Sequence, residues 1–229
     1  VEVCEPDVSP LALQGPKSND VASQVFGDWV KDLKFFHFRR FTHEGIPLVL
    51  CRSGWSKQGG FELFLEDETK GEQLWNLIWD AGEQFGIRAG GPNNVERMEN
   101  FLFSWGSDAG RDCDPYESGI GNYVDLGAEH DFIGKAALKN KRAEGPDREL
   151  KGLLIEGGPV DPNPAPVGLR NPNGSYAGQT RIVCYSRKYQ RNLGLAVVEV
   201  PHNLPGTKVQ VETSDGWRPA IVADLPFDL

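Results

Sequence analysis

The pattern of apolar positions in the first third of the chain predicts a sheet covered by helices on one face. Short apolar or alternating runs bounded by glycine turns predict strands over residues 10–14, 46–51 and 61–65. Apolar residues then recur at helical spacing over 74–85, and Gly86 is a typical C-terminal cap. Since the connections are short and two strands follow one another directly, we predict an α+β fold with an antiparallel, ferredoxin-like sheet.

Three further elements complete this first region. A glycine-proline turn after the first strand leads into a helix whose free amides Ser18 or Asn19 can cap. Alternating residues over 34–41 predict the first strand of a hairpin. A third helix is predicted to begin near Pro92, which is acceptable in a first turn because its missing amide has no helical partner there.

The pattern changes in the second half of the chain. A strand is predicted over 120–126, and the charged segment around Gly145-Pro146 indicates a domain boundary. We therefore predict two domains, residues 1–145 and residues 146–229. The second contains short strand-like runs separated by turns, for which a small antiparallel β-barrel is the natural closure. Its predicted strands are residues 150–156, 176–185, 193–200, 208–213 and 217–223.

Composition narrows the class of protein. The 33 Asp and Glu residues outnumber the 24 Lys and Arg residues, and no segment gathers enough basic side chains to follow a phosphate backbone. No apolar run approaches the roughly 20 residues that cross a bilayer. Cys4, Cys51, Cys113 and Cys184 contain no C-x-x-C pair, and the chain starts without a signal segment. We expect a soluble, cytoplasmic protein with reduced thiols that binds neither nucleic acid nor a membrane.

Several common catalytic arrangements are missing from the sequence. The four histidines are scattered, and none has a second ligand at the spacing of one helix face, so we expect no metal site. A G-x-S-x-G motif is absent, because two residues separate Ser56 from the next glycine. Gly119 and Gly121 begin a dinucleotide fingerprint, but Val124 stands where the third glycine belongs. Neither serine hydrolysis nor a dinucleotide cofactor is therefore indicated.

The most unusual segment is a glycine-rich loop between two predicted strands, which contains Arg52, Trp55 and Lys57. One interpretation is a wide hairpin whose tryptophan folds back onto the core. The other makes Trp55 a stacking surface for a flat ring, with Arg52 available for a carboxylate.

A second candidate lies on the third predicted helix. Arg97 and Glu99 are two positions apart and therefore point to different faces. If Arg97 points to solvent, Glu99 shares its side with Val95 and Leu102. A carboxylate on such a side binds a hydrogen-bond donor, and both a ligand and a buried structural partner remain open.

Six short segments, taken together, indicate a family. In chain order they resemble the aminomethyltransferase (glycine cleavage T-protein) superfamily of tetrahydrofolate-dependent enzymes, and they span the chain from end to end. They are L-A-L-Q-G-P-K at 11–17, R-S-G-W-S-K-Q-G-G-F-E at 52–62, E-R-M-E at 96–99, Y-E-S-G at 116–119, D-F-I-G-K-A-A-L at 131–138 and the pair Tyr185-Ser186.

Within the superfamily, the segment 52–62 looks most like that of the dimethylsulfoniopropionate demethylases, whereas the glycine cleavage T-proteins have G-Y-T-G-E-D-G-F-E there. The resemblance implies transfer of a methyl group from a sulfonium sulfur to N5 of tetrahydrofolate. The products are 5-methyltetrahydrofolate and methylmercaptopropionate, and neither metal nor cobalamin takes part. Aminomethyl or O-methyl transfer to the same folate, and a folate-binding module without turnover, are the alternatives.

The resemblance also implies where ligands bind. Its fold is a three-part ring with tetrahydrofolate in a central cavity and a small C-terminal β-barrel. Glu99 matches the glutamate that accepts hydrogen bonds from the pterin, and Trp55 lies in the loop that lines the cavity. No catalytic residue is assigned, because a sulfonium is already activated and needs alignment more than acid-base help.

The remaining assignments rest on residue type. Arg52, Tyr123 and Tyr185 join Glu99 and Trp55 as folate-binding candidates, and Trp105 and Lys57 are candidates for binding the methyl donor. An aromatic face such as Trp55 or Trp105 can hold a sulfonium cation, while Arg52 can hold a carboxylate.

The chain also departs from the superfamily. It opens with Val1 rather than Met, and family members carry a further N-terminal portion that supplies an acidic residue near the reacting nitrogen. We therefore expect a processed or incomplete chain, with a companion N-terminal segment or chain to complete the enzyme. Arg187 and Lys188 also stand where relatives often have proline.

Overall fold

The computed structural model describes residue 3 and residues 5–91, 93–163 and 165–229. The chain forms two compact units, Val1–Pro92 and Asn93–Leu229. Cys4 and Pro92, for which the sequence predicts a reduced thiol and a first-turn position, lie outside the described residues. The predicted domain boundary between residues 145 and 146 stays a prediction.

The first unit contains a four-stranded antiparallel sheet. Its strands are β1 (Ser9–Gln14), β2 (Phe38–His43), β3 (Ile46–Cys51) and β4 (Gly60–Leu65). The strand order is β1-β4-β3-β2, so that β1 and β2 are the edge strands. The predicted hairpin is present, with its turn at Glu44 and Gly45.

The core of this unit lies between the sheet and two helices, α1 (Ser18–Phe26) and α2 (Gly71–Gly82). Alternate residues of β3 and β4 are fully buried because successive side chains of a strand point to opposite faces. The predicted α+β arrangement, with helices packed on one face of an antiparallel sheet, is confirmed. The helical core residues are Val21, Ala22, Phe26, Leu74, Ile78 and Ala81.

Two local predictions in this unit are wrong. Helix α1 has Lys17 at its N-cap position and no side-chain cap, because the backbone N–H of Ser18 already donates to the carbonyl of Gly15 at 3.0 Å. Strand β2 begins at Phe38 rather than at residue 34. The preceding residues form a turn in which the N–H of His37 donates to the carbonyl of Lys34.

The second unit begins with α3 (Asn94–Asn100), where Asn93 accepts a hydrogen bond from the N–H of Glu96 at 2.8 Å. The predicted strand over 120–126 is wrong. Two of its backbone amides bond within a local turn instead of to a partner strand, since the N–H of Tyr123 donates to the carbonyl of Ile120 and that of Val124 to the carbonyl of Gly121. Alternation of apolar residues alone did not distinguish these turns from a strand.

The second unit also contains a closed β-barrel. Its strands are β5 (Arg148–Ile155), β6 (Gly168–Arg170), β7 (Tyr176–Ser186), β8 (Arg191–Glu199), β9 (Lys208–Thr213) and β10 (Gly216–Ala223). The strand order is β10-β5-β8-β7-β6-β9. The predicted barrel is confirmed, and each predicted strand is present within two residues of its bounds. The three-residue β6 was not predicted.

A further helix, α4 (Lys135–Glu144), precedes the barrel and was not predicted. None of its residues is buried, so the sequence carries no apolar stripe that would indicate it. Among the described residues, no helix has the length and apolar character needed to cross a membrane.

Candidate functional site

The loop between β3 and β4, residues 52–59, is the first candidate. Ser56 is buried at 9% exposure, whereas its neighbours Trp55 and Lys57 are exposed. Trp55 keeps 37% of its surface accessible, so it is not folded into the apolar core as the simple hairpin interpretation required. The loop thus presents an aromatic face and an ammonium group on either side of one inward-pointing serine.

The side-chain amide of Gln14, the last residue of β1, anchors this loop. Its Nε2 donates to the carbonyl oxygens of Phe61 at 3.1 Å and Ser53 at 3.3 Å. Its Oε1 accepts from the Ser56 hydroxyl at 2.8 Å. Gln14 was not among the candidates from the sequence, although it lies within the first family motif.

Arg52 stands at the start of the same loop and is half-buried. Its guanidinium donates to the side-chain oxygen of Asn19 and lies over the ring of Phe61, 4.4 Å from the centroid. These contacts fix the direction of the side chain. Since a guanidinium has five N–H donors, donors remain for a ligand carboxylate.

The second candidate lies in the other unit, where Glu99 on α3 meets the end of β7. The Ser186 hydroxyl donates to Oε1 of Glu99 at 2.5 Å, and Ser186 in turn accepts from the N–H of Tyr189 at 3.1 Å. A carboxylate has about four lone-pair positions on two oxygens, so one serine leaves acceptor capacity for further donors. Glu99 is therefore oriented as an acceptor.

The charge of this carboxylate contributes to the raised pKa values of two nearby side chains. Burial raises the pKa of the Cys184 thiol to about 11, and the negative charge of Glu99 acts in the same direction. The pKa of Lys188 is also raised, chiefly by its contact with Tyr189 and further by Glu99. The ammonium of Lys188 lies 4.6 Å from the centre of the Tyr189 ring. The surroundings of Glu99 thus favour a protonated thiol and a charged lysine.

The environment of Arg97 differs from the solvent-facing position considered above. Its side chain is 4% exposed and donates through Nη1 to both carboxylate oxygens of Asp108, each at 2.6 Å. Asp108 also accepts from the backbone N–H of Ser104 at 2.8 Å. Glu99 on the same helix instead takes the half-buried position beside Ser186. The ion pair explains why a charged residue occupies the buried side of α3.

Three aromatic candidates in the second unit differ in accessibility. Trp105 is 64% exposed in the turn that Asp108 closes, and Tyr123 is 83% exposed on a 3₁₀ helix. Tyr185 is half-buried on β7 and lies between the fully buried Cys184 and Ser186. Since neighbouring strand residues point to opposite faces, Tyr185 points away from the Ser186–Glu99 contact. The structure therefore groups Glu99 with Ser186 rather than with a tyrosine.

Two family models match this chain. The GCVT N-terminal domain matches residues 1–128, and the glycine cleavage T-protein C-terminal barrel domain matches residues 148–228. This chain belongs to the glycine cleavage T-protein family. The resemblance carried by the six motifs is confirmed.

Individual relatives are similar to almost all of this chain. A dimethylsulfoniopropionate demethylase of Ruegeria pomeroyi is 43% identical over 224 residues, which are 98% of this chain and 60% of that protein. An aminomethyltransferase of Bacillus cereus is 31% identical over 226 residues, 96% of this chain and 60% of that protein. The chain therefore spans about 60% of the length of these relatives.

A solved structure has the same fold. The glycine cleavage system aminomethyltransferase T of Bartonella henselae aligns with a TM-score of 0.79 at 21% sequence identity, over 97% of this chain and 60% of that chain. The predicted combination of an antiparallel α+β sheet and a C-terminal barrel is thus a T-protein fold.

Three residues that the structure places beside the candidates were not identified from the sequence. They are Gln14 under the loop, Ser186 at Glu99, and Asp108 at Arg97. Gln14 and Ser186 lie inside family motifs, which was the available signal, whereas Asp108 lies in a polar loop without a pattern. In the part of the chain that the structure describes, no cluster of three or more His, Cys, Asp or Glu side chains could hold a metal ion.

Proposed function

We propose that this chain belongs to a tetrahydrofolate-dependent methyltransferase that accepts the methyl group of dimethylsulfoniopropionate. Family membership supports an enzyme of one-carbon transfer. The substrate proposal rests on the 43% identity to a dimethylsulfoniopropionate demethylase, against 31% to aminomethyltransferases. Aminomethyl transfer is the second candidate, favoured by the latter relatives.

The observation that carries the proposal is the orientation of Glu99 by Ser186. A pterin ring presents N–H groups along one edge, and a charged acceptor with remaining lone pairs fits such donors. The Ser186 hydroxyl fixes one oxygen of Glu99, so that the carboxylate is preorganised before the ligand arrives. Glu99 would therefore hold the pterin, and tetrahydrofolate supplies the nucleophilic N5 that takes the methyl group.

The other candidates would bind and align the two substrates. The exposed faces of Trp55 and Trp105 offer cation–π contacts to a sulfonium, while Arg52 and Lys57 offer positive charge to carboxylates. Tyr123 and Tyr185 remain proposed folate contacts. The carbon–sulfur bond of the donor would break with its electron pair going to sulfur while the methyl group passes to N5 of the bound folate, and the N5 proton would pass to water. Alignment and exclusion of water do most of the work, without a metal.

A companion polypeptide is part of the proposal. The chain spans about 60% of the length of its relatives, and β2 is an open sheet edge. Three aromatic side chains at the start of this edge, Phe35, Phe36 and Phe38, are each more than 65% exposed. Exposed aromatic clusters beside an open strand are typical of surfaces that another segment covers. We propose that the remainder of the family fold, in the same or a separate chain, packs here.

The proposed location is the cytoplasm. Among the described residues, Cys51, Cys113 and Cys184 are free thiols. Free thiols are typical of a reducing compartment.

The test combines ligand binding with turnover. A native mass spectrum with and without tetrahydrofolate shows whether the chain, alone or with a heavier companion, gains one folate mass. Methyl transfer is then assayed with dimethylsulfoniopropionate and, separately, with an aminomethyl donor. We expect methyl transfer from dimethylsulfoniopropionate. Transfer from the aminomethyl donor alone would establish the second candidate. Folate binding without transfer from any donor, even with the companion portion restored, would leave a binding module.

A variant tests the role of Glu99. Glu99→Gln should weaken tetrahydrofolate binding by at least about tenfold, because a neutral amide replaces a charge-assisted acceptor. Glu144→Gln changes an exposed glutamate on α4 of the same unit and should leave the affinity unchanged. Equal affinities for the two variants would contradict the assignment of Glu99.

A further inference from the structure

We infer that the Gln14 amide is the positioning group that holds the loop 52–59 in the shape that presents Trp55 and Lys57. This inference rests on the proposed function, in which these two side chains bind ligand. No ligand contact is assigned to Gln14 itself. It acts through the loop.

Both ends of the Gln14 amide are engaged. The Nε2 group donates to the carbonyl oxygens of Ser53, at the start of the loop, and of Phe61, just after it. The Oε1 atom accepts from Ser56 in the middle of the loop. One side chain thus joins the beginning, middle and end of the loop, and it needs both a donor and an acceptor to do so. Among side chains of this length, only an amide provides both.

The loop backbone is also shaped around this side chain. A β-carbon on Gly54 would lie 2.0 Å from Oε1 of Gln14, and one on Gly60 would lie 2.7 Å from its Nε2. Any side chain at Gly54 would therefore displace the amide from its hydrogen bonds. The loop glycines allow the backbone to close onto Gln14.

Ser56 links the Gln14 amide to the neighbouring residues of the loop. Its hydroxyl donates to Gln14 and accepts from the N–H of Gln58 at 3.2 Å. Lys57 between them has a φ of 56°, a left-handed conformation that is unfavourable for a residue with a side chain. Such a conformation persists where the surroundings fix it. With Ser56 pointing inward, Trp55 and Lys57 on either side are directed to the surface.

Gln14 adjoins the apolar core of the unit but is not one of its residues. Leu13 and Phe61, the neighbours of the amide on β1 and β4, pack among the core residues between sheet and helices. Loss of the amide should therefore change the loop while the sheet stays folded.

The test measures the loop without relying on activity. Gln14→Glu removes both donors, and Ser56→Ala removes the central link while changing the chain less. Gln24→Glu, an exposed glutamine on α1 paired with Gln84, is the matched control. The readout is acrylamide quenching of the Trp55 emission, obtained by subtracting the spectrum of the same chain carrying Trp55→Phe.

We expect Trp55 to become more accessible to acrylamide in Gln14→Glu and in Ser56→Ala, with circular dichroism unchanged and no effect of Gln24→Glu. Tetrahydrofolate affinity should fall about tenfold in the first two variants. Unchanged quenching in Ser56→Ala and in folded Gln14→Glu would overturn the inference. If Trp55→Ala leaves the affinities for both tetrahydrofolate and dimethylsulfoniopropionate intact, the proposed binding role of Trp55 fails, while the quenching result still decides the role of Gln14.

Discussion

The two candidate regions are held in place by different chemistry. In the first unit, the loop around Trp55 is anchored by neutral hydrogen bonds that converge on Gln14. In the second, the helix bearing Glu99 is tied to the turn bearing Trp105 by a buried ion pair between Arg97 and Asp108.

This difference predicts different responses to substitution. A neutral hydrogen bond contributes modestly, and a loop that loses one can rearrange locally. A buried charge that loses its partner stays uncompensated, because water cannot reach it. We therefore expect changes in the second region to lower the stability of the unit, and changes in the loop to alter its shape and binding first.

The largest effect should come from breaking the ion pair. Asp108→Ala leaves the 4%-exposed Arg97 without a counterion, and we expect the free energy of unfolding to fall by about 3–5 kcal/mol. Chemical denaturation measures this change. Asp28→Ala, which removes an exposed partner of Lys31, is the control and should leave the denaturation midpoint nearly unchanged. Similar midpoints for both variants would remove the contrast between the regions.

The second-largest loss of stability should come from a backbone clash in the first unit. Gly60 has a φ of 142°, and a β-carbon there would lie 2.4 Å from the carbonyl oxygen of Leu13. We expect Gly60→Ala to lower the free energy of unfolding by about 2–4 kcal/mol. At Gly90 an added β-carbon meets nothing within 4 Å, so Gly90→Ala should be nearly neutral by thermal denaturation. A neutral Gly60→Ala would mean that the strand ends at the loop are freer than the structure indicates.

Removal of the Ser186 hydroxyl, which donates to Glu99, should have a smaller effect on stability. Ser186→Ala leaves the carboxylate and the N–H of Tyr189 without their shared partner. A hydrogen bond to a charged group contributes about 1.5–3 kcal/mol, and we expect urea denaturation to show a loss in that range. The control is Ser107→Ala, an exposed serine of the same unit. If Ser186→Ala behaves like this control, Glu99 has found another donor and is not preorganised by Ser186.

The smallest predicted effect is a pH dependence at Cys184. Burial raises its pKa from an ordinary value of 9.0 to about 11, so the unfolded chain loses this proton at lower pH than the folded one. Stability from this group is therefore fully present below pH 9 and falls by about 2 kcal/mol as the pH rises to 11. Denaturation across this window should show a shallower fall for Cys184→Ala than for the parent chain. Parallel curves would contradict the raised pKa.

Particular elements show how much of this could be predicted from the sequence. The helix around Leu74, Ile78 and Ala81 and the strand of Ile46, Leu48 and Leu50 were predicted because their burial follows a regular period. Helix α4 was not predicted, because it buries no residue and so has no apolar stripe. The turns around Tyr123 were mistaken for a strand, because their apolar alternation also fits a strand.

The sequence by itself determined the fold class, the barrel and the family, since these depend on apolar periodicity and on motifs of fixed order. The sequence also indicated Trp55 and Glu99 as candidate binding residues. Only the tertiary structure showed that Gln14 lies under the loop, that Ser186 meets Glu99 across 87 positions of the chain, and that Arg97 is buried against Asp108. Each of these contacts joins residues from different elements, and the geometry of a single hydrogen bond depends on how those elements pack.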